Sequence, residues 1–204
     1  MEIKHKEIKS LFTDLFNKEE QNQIEYIYKK IKSDEPFESW RKYVDNLDDK
    51  IGGVGSKQLM VYQKDPKGYT ADYHIDNRRI YRCMQYVLAY YFNARNDTTR
   101  LGINYCCMHI ENILKRKYNK QQLPLGSIVS FIKKNILENE NIIRLLNLIV
   151  PIWNETKHEL DDDLLEFKID EDNIIRTSSH KFSMSEVVVM YFICRKIGLW
   201  LMSD

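Results

Sequence analysis

The residues best suited to carry chemistry in this chain lie in one short segment, Trp153-Asn154-Glu155-Thr156-Lys157-His158. Because the imidazole of a histidine titrates near neutral pH, His158 can pass a proton to or from a hydroxyl group or a leaving oxygen. Asn154, four residues earlier, carries a carboxamide that can orient such a group or a bound strand. We therefore predict that His158 and Asn154 are the catalytic residues of any active site in the chain.

The helical run before this segment determines where the side chains of the segment lie. An apolar run with helical character, Leu145 to Val150, leads directly into Pro151. Proline has no N–H to donate to the carbonyl of Asn147, and its ring crowds that carbonyl, so we expect the helix to kink or end there. If these residues have no catalytic role, Asn154 only terminates the broken helix and His158 is a surface or lightly buried residue.

The composition predicts a folded protein without a strong overall charge. The 204 residues are 43% hydrophobic and 30% charged, and 31 Lys and Arg against 30 Asp and Glu give a formal charge of +1. No overall field attracts nucleic acid or a membrane, so such binding would need a local patch. The longest apolar run, Val187 to Cys194, is less than half a bilayer span, and the N-terminus lacks the apolar core of a signal peptide. We expect a cytoplasmic protein that does not bind membranes.

The cysteines predict neither a disulfide nor a metal site. Cys83, Cys106, Cys107 and Cys194 form no Cys-x-x-Cys pair, and all four lie within apolar helical patterns. Buried free thiols are therefore the expected state. Since no histidines or cysteines have zinc-ligand spacing, we expect no metal and no cofactor.

The N-terminal part of the chain is predicted to be helical. Apolar residues at helical spacing indicate two helices within residues 2–32, with Asn17 capping the second, and a third helix after Pro36. The glycine-rich stretch at 51–57 lacks the Gly-Lys-Ser/Thr ending of a phosphate-binding loop, so it is predicted to be a linker. We place a domain boundary near residue 75 and treat residues 1–75 as an N-terminal helical extension.

Residues 76–204 are predicted to form a helical bundle. Helical periodicity indicates helices over 76–93, 100–118 and 125–136 and a long helix from 139. Ser183 to Glu186 has the pattern of a capping box, and the almost uniformly apolar helix after it, Val187 to Leu201, belongs at the centre of a bundle. Residues 164–178 have the pattern of a small β-hairpin. The predicted fold class is therefore all-α, with this hairpin as an addition.

Two groups of basic residues are candidate contacts for a phosphate backbone. Arg78 and Arg82 lie on a basic stripe with tyrosines nearby, and Lys115 to Lys120 form a second cluster. Such patches can follow a chain of phosphates. The alternative for both is a solvated helix face without a ligand.

From about residue 76 onward, the order of elements and three short motifs resemble the HEPN superfamily of prokaryotic helical bundles, which occur in toxin–antitoxin, abortive-infection and other defence systems. The segment from Trp153 to His158 falls on the family's Arg-Asn-x-x-x-His signature. Ile110 to Leu114 is similar to its Leu-Glu-x-Leu-Leu segment, and Leu125 to Ile132 is similar to the short helix before the motif. Residues before 76 have no counterpart.

The resemblance implies a metal-independent endoribonuclease whose site is shared across a homodimer. The family's histidine would move protons of the ribose 2′-OH or the leaving oxygen, and its arginine would neutralise charge on the phosphoryl oxygens. Here Trp153 occupies the arginine position, and the loss of such a charge stabiliser typically costs about 10²–10³ in rate. Lys157 is the nearest cation that could replace it. The candidate RNA contacts are Lys157, Trp153 as a base-stacking ring, Arg78 and Arg82; for Trp153 the alternative is a place in the core or an interface.

These residues lead to two hypotheses from different functional classes. The first is an RNA-binding or weakly RNA-cleaving component of a prokaryotic antiviral defence or toxin–antitoxin system. The second is a non-catalytic helical module that dimerises, binds a protein partner or acts as an inhibitor through the same surface. The acidic run that begins at Glu159 repels phosphate and favours the second hypothesis.

Overall fold

Helices dominate the part of the chain that is described. In this computed structural model the described residues are 1–33, 35–52, 80, 82–84, 86–87, 99–136, 140–158, 166–170, 173–177 and 182–203. The helices are α1 (Lys6–Leu15), α2 (Lys18–Lys32), α3 (Phe37–Gly52), α4 (Thr99–Lys117), α5 (Leu125–Asn135), α6 (Glu140–His158) and α7 (Met184–Ser203). The predicted all-α class is confirmed.

One pair of strands accompanies the helices. β1 (Glu166–Asp170) and β2 (Asn173–Thr177) pair antiparallel, with Glu166 opposite Thr177 and Asp170 opposite Asn173. Both strands lie within residues 164–178. The two residues between them are outside the described part of the chain.

The first two helices form as the sequence predicts. α1 buries Ile8, Leu11 and Leu15, whose spacing places them on one face. α2 begins with a reciprocal cap, because the side chain of Asn17 accepts from the Glu20 amide and the Glu20 carboxylate accepts from the Asn17 amide, both at 3.0 Å. The predicted cap at Asn17 is confirmed.

α7 is the central helix of the fold. Every residue from Val187 to Cys194 is fully buried, which confirms the central position predicted from its apolar sequence. The capping box at its start is also present: the Ser183 amide donates to the Glu186 carboxylate at 2.7 Å, and the Glu186 amide donates to Ser183 Oγ at 3.4 Å.

The N-terminal helices share the core of the bundle. α1, α2 and α3 all pack against α7, and their apolar residues belong to the same buried cluster as those of α4 to α6. A buried ion pair joins α3 to α7, because the guanidinium of Arg195 donates to both oxygens of Asp48, at 2.5 and 3.0 Å. The Tyr191 hydroxyl donates to the same carboxylate at 2.9 Å. The boundary proposed near residue 75 lies outside the described residues, but α1–α3 are packed as part of the bundle.

Of the two outcomes predicted at Pro151, a kink or a helix end, the structure excludes the end. α6 continues through Pro151 to His158, so the polar segment is helical. The proline costs about 3 kcal/mol in a helix interior. Burial of Ile152 and Trp153, which directly follow it, stabilises the continued helix by an amount of the same order, roughly 1.5–3 kcal/mol for each large apolar side chain.

The helix predicted over residues 76–93 is described only in part. Ile80, Cys83, Met84 and Val87 are helical and buried, as the pattern predicts, whereas most of its other residues lie outside the described part. Among the helices that are described, none has both the length and the apolar character needed to span a bilayer.

The buried ion pair should be a major determinant of stability. We expect Asp48→Ala to lower the free energy of unfolding by about 3–5 kcal/mol, because it leaves the Arg195 guanidinium buried without its carboxylate. Urea denaturation followed by circular dichroism measures this loss. The matched control is Glu19→Gln, which breaks an exposed pair with Lys50 and should cost about 0–1 kcal/mol. Equal, small losses in both variants would contradict the prediction.

Candidate functional site

The last turn of α6 carries the predicted catalytic residues. His158 is the final residue of the helix, and Asn154 lies one turn before it with an exposed side chain. Residues four apart occupy the same face of a helix, so the continuous helix places these two positions together. Of the other candidates, Arg82 is exposed and Arg78 lies outside the described residues.

Trp153 packs in the core instead of facing solvent. Its side chain is 4% exposed, and the ammonium of Lys157 lies 3.9 Å from the centre of its ring. Such a cation–π contact keeps the lysine charge over the ring face. The ring is therefore not presented for stacking on a base, and the position that would hold an arginine in the resembled motif is filled by a core residue.

Lys157 is held by a second contact. Its ammonium lies 4.0 Å from the carboxylate of Glu111, which also pairs with Lys115 at 2.7 Å. The same carboxylate accepts from the backbone amide of Leu125 at 3.0 Å, at the start of α5. Glu111 thus joins α4, α5 and α6, and it offsets part of the charge of Lys157.

An arginine reaches the last turn of α6 from another helix. Arg100, in the first turn of α4, donates from Nε to the carbonyl oxygen of Thr156 at 2.9 Å. Asn104, one turn further along α4, donates to the Thr156 hydroxyl at 3.0 Å, and that hydroxyl donates to the carbonyl oxygen of Trp153 at 2.8 Å. The positive charge of Arg100 also interacts favourably with the C-terminal end of the α6 dipole.

Reasoning from the sequence missed Arg100. One signal was available, because a cation in the first turn of a helix opposes the helix dipole and so requires a favourable partner elsewhere. That partner is the Thr156 carbonyl, 56 positions away in the chain, and no local pattern predicts it.

The N-terminal segment reaches the opposite side of the same turn. His5 Nε2 lies 2.7 Å from the carboxylate of Glu155, and Nδ1 lies 3.2 Å from that of Glu7. The ring also stacks on Phe182, with centroids 5.4 Å apart. The backbone amides of Lys4 and His5 donate to the buried carboxylate of Glu186, which fixes the segment against α7. Glu155 is therefore occupied by His5, a contact that the sequence did not predict.

The cysteines are confirmed as buried free thiols. Burial raises the pKa of Cys83 to about 11 and raises the pKa of Cys106, Cys107 and Cys194 as well. Thiols protonated at neutral pH are poor nucleophiles and poor metal ligands. Within the described residues, no cluster of three or more His, Cys, Asp or Glu side chains is arranged to hold a metal ion.

His109 is a structural residue of the core. Its ring is fully buried, and Nδ1–H donates to the carbonyl oxygen of Ile80 at 3.0 Å. Burial lowers its pKa to about 3, a shift that the Ile80 carbonyl opposes and that nearby Arg195 reinforces. A histidine that stays neutral and inaccessible cannot exchange protons with a substrate near neutral pH.

No family model matches the chain, and neither a curated protein nor a solved structure matches it. No relative therefore indicates a role for these residues, and their contacts are the basis for assigning one. The last turn of α6 carries the candidate positions 154 and 158, and Arg100 and Lys157 bring two cations to the same turn.

The buried state of His109 predicts a pH dependence of stability. Its folded pKa of about 3 lies below the unfolded value of 6.5, so the unfolded chain binds the extra proton and stability falls as the pH drops below about 7. From pH 7.5 to 5 the wild type should lose about 2 kcal/mol more than His109→Gln, which lacks the titrating ring. Urea denaturation at both pH values measures the difference. Parallel losses would show that His109 does not contribute.

Proposed function

We propose that this protein is a HEPN-like, RNA-binding protein with metal-independent endoribonuclease activity, acting as a homodimer in a prokaryotic defence or toxin–antitoxin system. The observation that carries the proposal is the contact of Arg100 Nε with the Thr156 carbonyl, at 2.9 Å. It brings a guanidinium to the helical turn that ends at His158. An arginine from α4 thereby compensates for the tryptophan at position 153.

In the proposed reaction, the ribose 2′-oxygen attacks the adjacent phosphorus. The 2′-oxygen–phosphorus bond forms, the bond from phosphorus to the 5′-oxygen breaks, and the products are a 2′,3′-cyclic phosphate and a free 5′-hydroxyl. One proton leaves the 2′-OH and one is delivered to the leaving 5′-oxygen; His158 makes one of these two transfers and water makes the other. Asn154 orients the strand.

The charge that gathers on the phosphoryl oxygens needs fixed positive charge nearby. A guanidinium offers five N–H donors in a planar arrangement that suits phosphate. Arg100 supplies this group in the proposal. Lys157, whose ammonium lies over Trp153 and near Glu111, adds a second positive charge to the same turn.

A second function is favoured by two other observations. Trp153 is in the core where an active motif would hold an arginine, and Leu101, which follows Arg100, is a large apolar residue that is 44% exposed. A second chain that docks on this end of the bundle would cover Leu101. The alternative is therefore a non-catalytic module that dimerises or binds a protein partner through this end of the bundle.

Cleavage of RNA in the presence of EDTA distinguishes the two functions. We expect the wild type to produce fragments ending in 2′,3′-cyclic phosphate. His158→Ala should lower the rate by about 10²–10⁴, the usual contribution of a general acid or base. Arg100→Gln keeps a hydrogen-bond donor but removes the charge, and should lower the rate by about 10²–10³.

The control for these variants is Arg41→Gln, which removes an exposed arginine of α3 and should leave the rate unchanged. Circular dichroism and thermal melting confirm that each variant is folded. A wild type that does not cleave, or that cleaves as fast as His158→Ala, would sink the nuclease proposal. If Leu101→Ser then converts a dimer to a monomer in light scattering, the non-catalytic module is the better explanation.

A further inference from the structure

One stretch of the chain is strongly basic although the whole chain is nearly neutral. Between Asn112 and Ile136 there are six Lys and Arg and no Asp or Glu, whereas the full sequence has 31 and 30. This stretch covers the second half of α4, the connection after it and all of α5. A local excess of this kind produces a positive potential that the net charge conceals.

The contacts between these residues connect the stretch to the candidate site. The ammonium groups of Lys157 and Lys115 share the carboxylate of Glu111, at 4.0 and 2.7 Å. Beyond the end of α4, the Lys120 amide donates to the carbonyl oxygen of Lys115 at 2.9 Å. These contacts link the last turn of α6, through Glu111 and Lys115, to Lys120.

α5 continues this series of contacts. The Lys120 ammonium lies 4.2 Å from the centre of the Phe131 ring, which places the connection against α5. Lys133 and Lys134, in the last turn of the same helix, are exposed. We call the surface formed by Lys157, Lys115, Lys120, Lys133 and Lys134 the basic path.

Most of the charge on the basic path is not offset by carboxylates. Glu111 is 8% exposed and is occupied by two lysines and the Leu125 amide, so it offsets charge only where the path begins. Lys120, Lys133 and Lys134 form no ion pair within the described part of the chain. By contrast, three lysines of α2 and α3 pair with glutamates: Lys29 with Glu25, Lys30 with Glu35 and Lys50 with Glu19.

We propose that the basic path binds the sugar–phosphate backbone of an RNA strand that continues beyond the α6 turn. Successive ammonium groups along a surface match a ligand with regularly repeated negative charge. The amides of Asn119, Gln121 and Gln122 lie in the same connection and suit phosphate and ribose oxygens. The inference rests on the proposed function for the class of ligand, but binding along the path does not require cleavage.

Binding to a non-cleavable RNA tests the path separately from the active site. The probe is a fluorescein-labelled single-stranded RNA with 2′-O-methyl groups, which removes the 2′-OH nucleophile, and affinity is measured by fluorescence anisotropy in EDTA over about 50–200 mM salt. The variant Lys120→Gln/Lys133→Gln/Lys134→Gln removes three charges from the path. The matched control Lys6→Gln/Lys9→Gln/Lys32→Gln removes three exposed lysines from α1 and α2.

The path variant should bind roughly tenfold more weakly than the wild type. Its slope of log affinity against log salt should be lower by about 2, because each single-strand phosphate contact contributes about 0.7. The control variant should bind like the wild type. With cleavable RNA, the path variant should show a raised KM and an unchanged kcat, and His158→Ala should bind the probe normally.

Equal affinity and equal salt slopes for the two triple variants would overturn the inference, as would a wild type that does not bind the probe. A second competitor is polyglutamate at equal charge. If it displaces the RNA and its own binding is weakened by the path variant to the same extent, the surface suits an acidic protein and the inference is overturned. If the wild type binds through the path but does not cleave, the inference holds and the nuclease proposal fails. The two proposals can thus fail independently.

Discussion

Two charged side chains on α7, Glu186 and Arg195, are fully buried, and neighbouring elements provide hydrogen-bond partners for both. An unpaired buried charge costs several kcal/mol, so a helix that is covered on every side can carry such groups only if neighbouring elements supply hydrogen bonds. The backbone amides of Lys4 and His5 donate to the Glu186 carboxylate, and the Asp48 carboxylate of α3 accepts from the Arg195 guanidinium. These contacts join the N-terminal segment and α3 to the central helix.

The sequence predicts those features that depend on neighbours along the chain. The caps at Asn17 and Ser183, the central place of α7 and the buried thiols all follow from local spacing and composition. The helix does not end at Pro151, because tertiary packing buries the residues that follow the proline, and a local rule about one lost hydrogen bond does not include that burial. Contacts between distant positions were not predictable. Arg195 and Asp48 are separated by 147 positions and Arg100 and Thr156 by 56, and nothing in either segment identifies its partner.

The last turn of α6 divides its residues between the core and the surface. Trp153 and Thr156 point into the protein and fix the turn, whereas Asn154 and Lys157 lie at its surface. The order of residues in the sequence does not show which of them are buried, because core and surface positions are interleaved along the turn. Arg100 contacts the same turn from α4, a neighbour that the order of residues in α6 does not indicate.

The position of α7 in the chain has a consequence for biosynthesis. Among the described helices of the bundle the central one is made after the others, and Arg195 follows its partner Asp48 by 147 residues. At the usual elongation rate of about 5–20 residues per second, α3 would wait about 7–30 s before its carboxylate could be paired. During that interval the apolar faces of the earlier helices have no central element to cover them. The bundle therefore closes around α7 only after α1 to α6 and α7 itself have been synthesised.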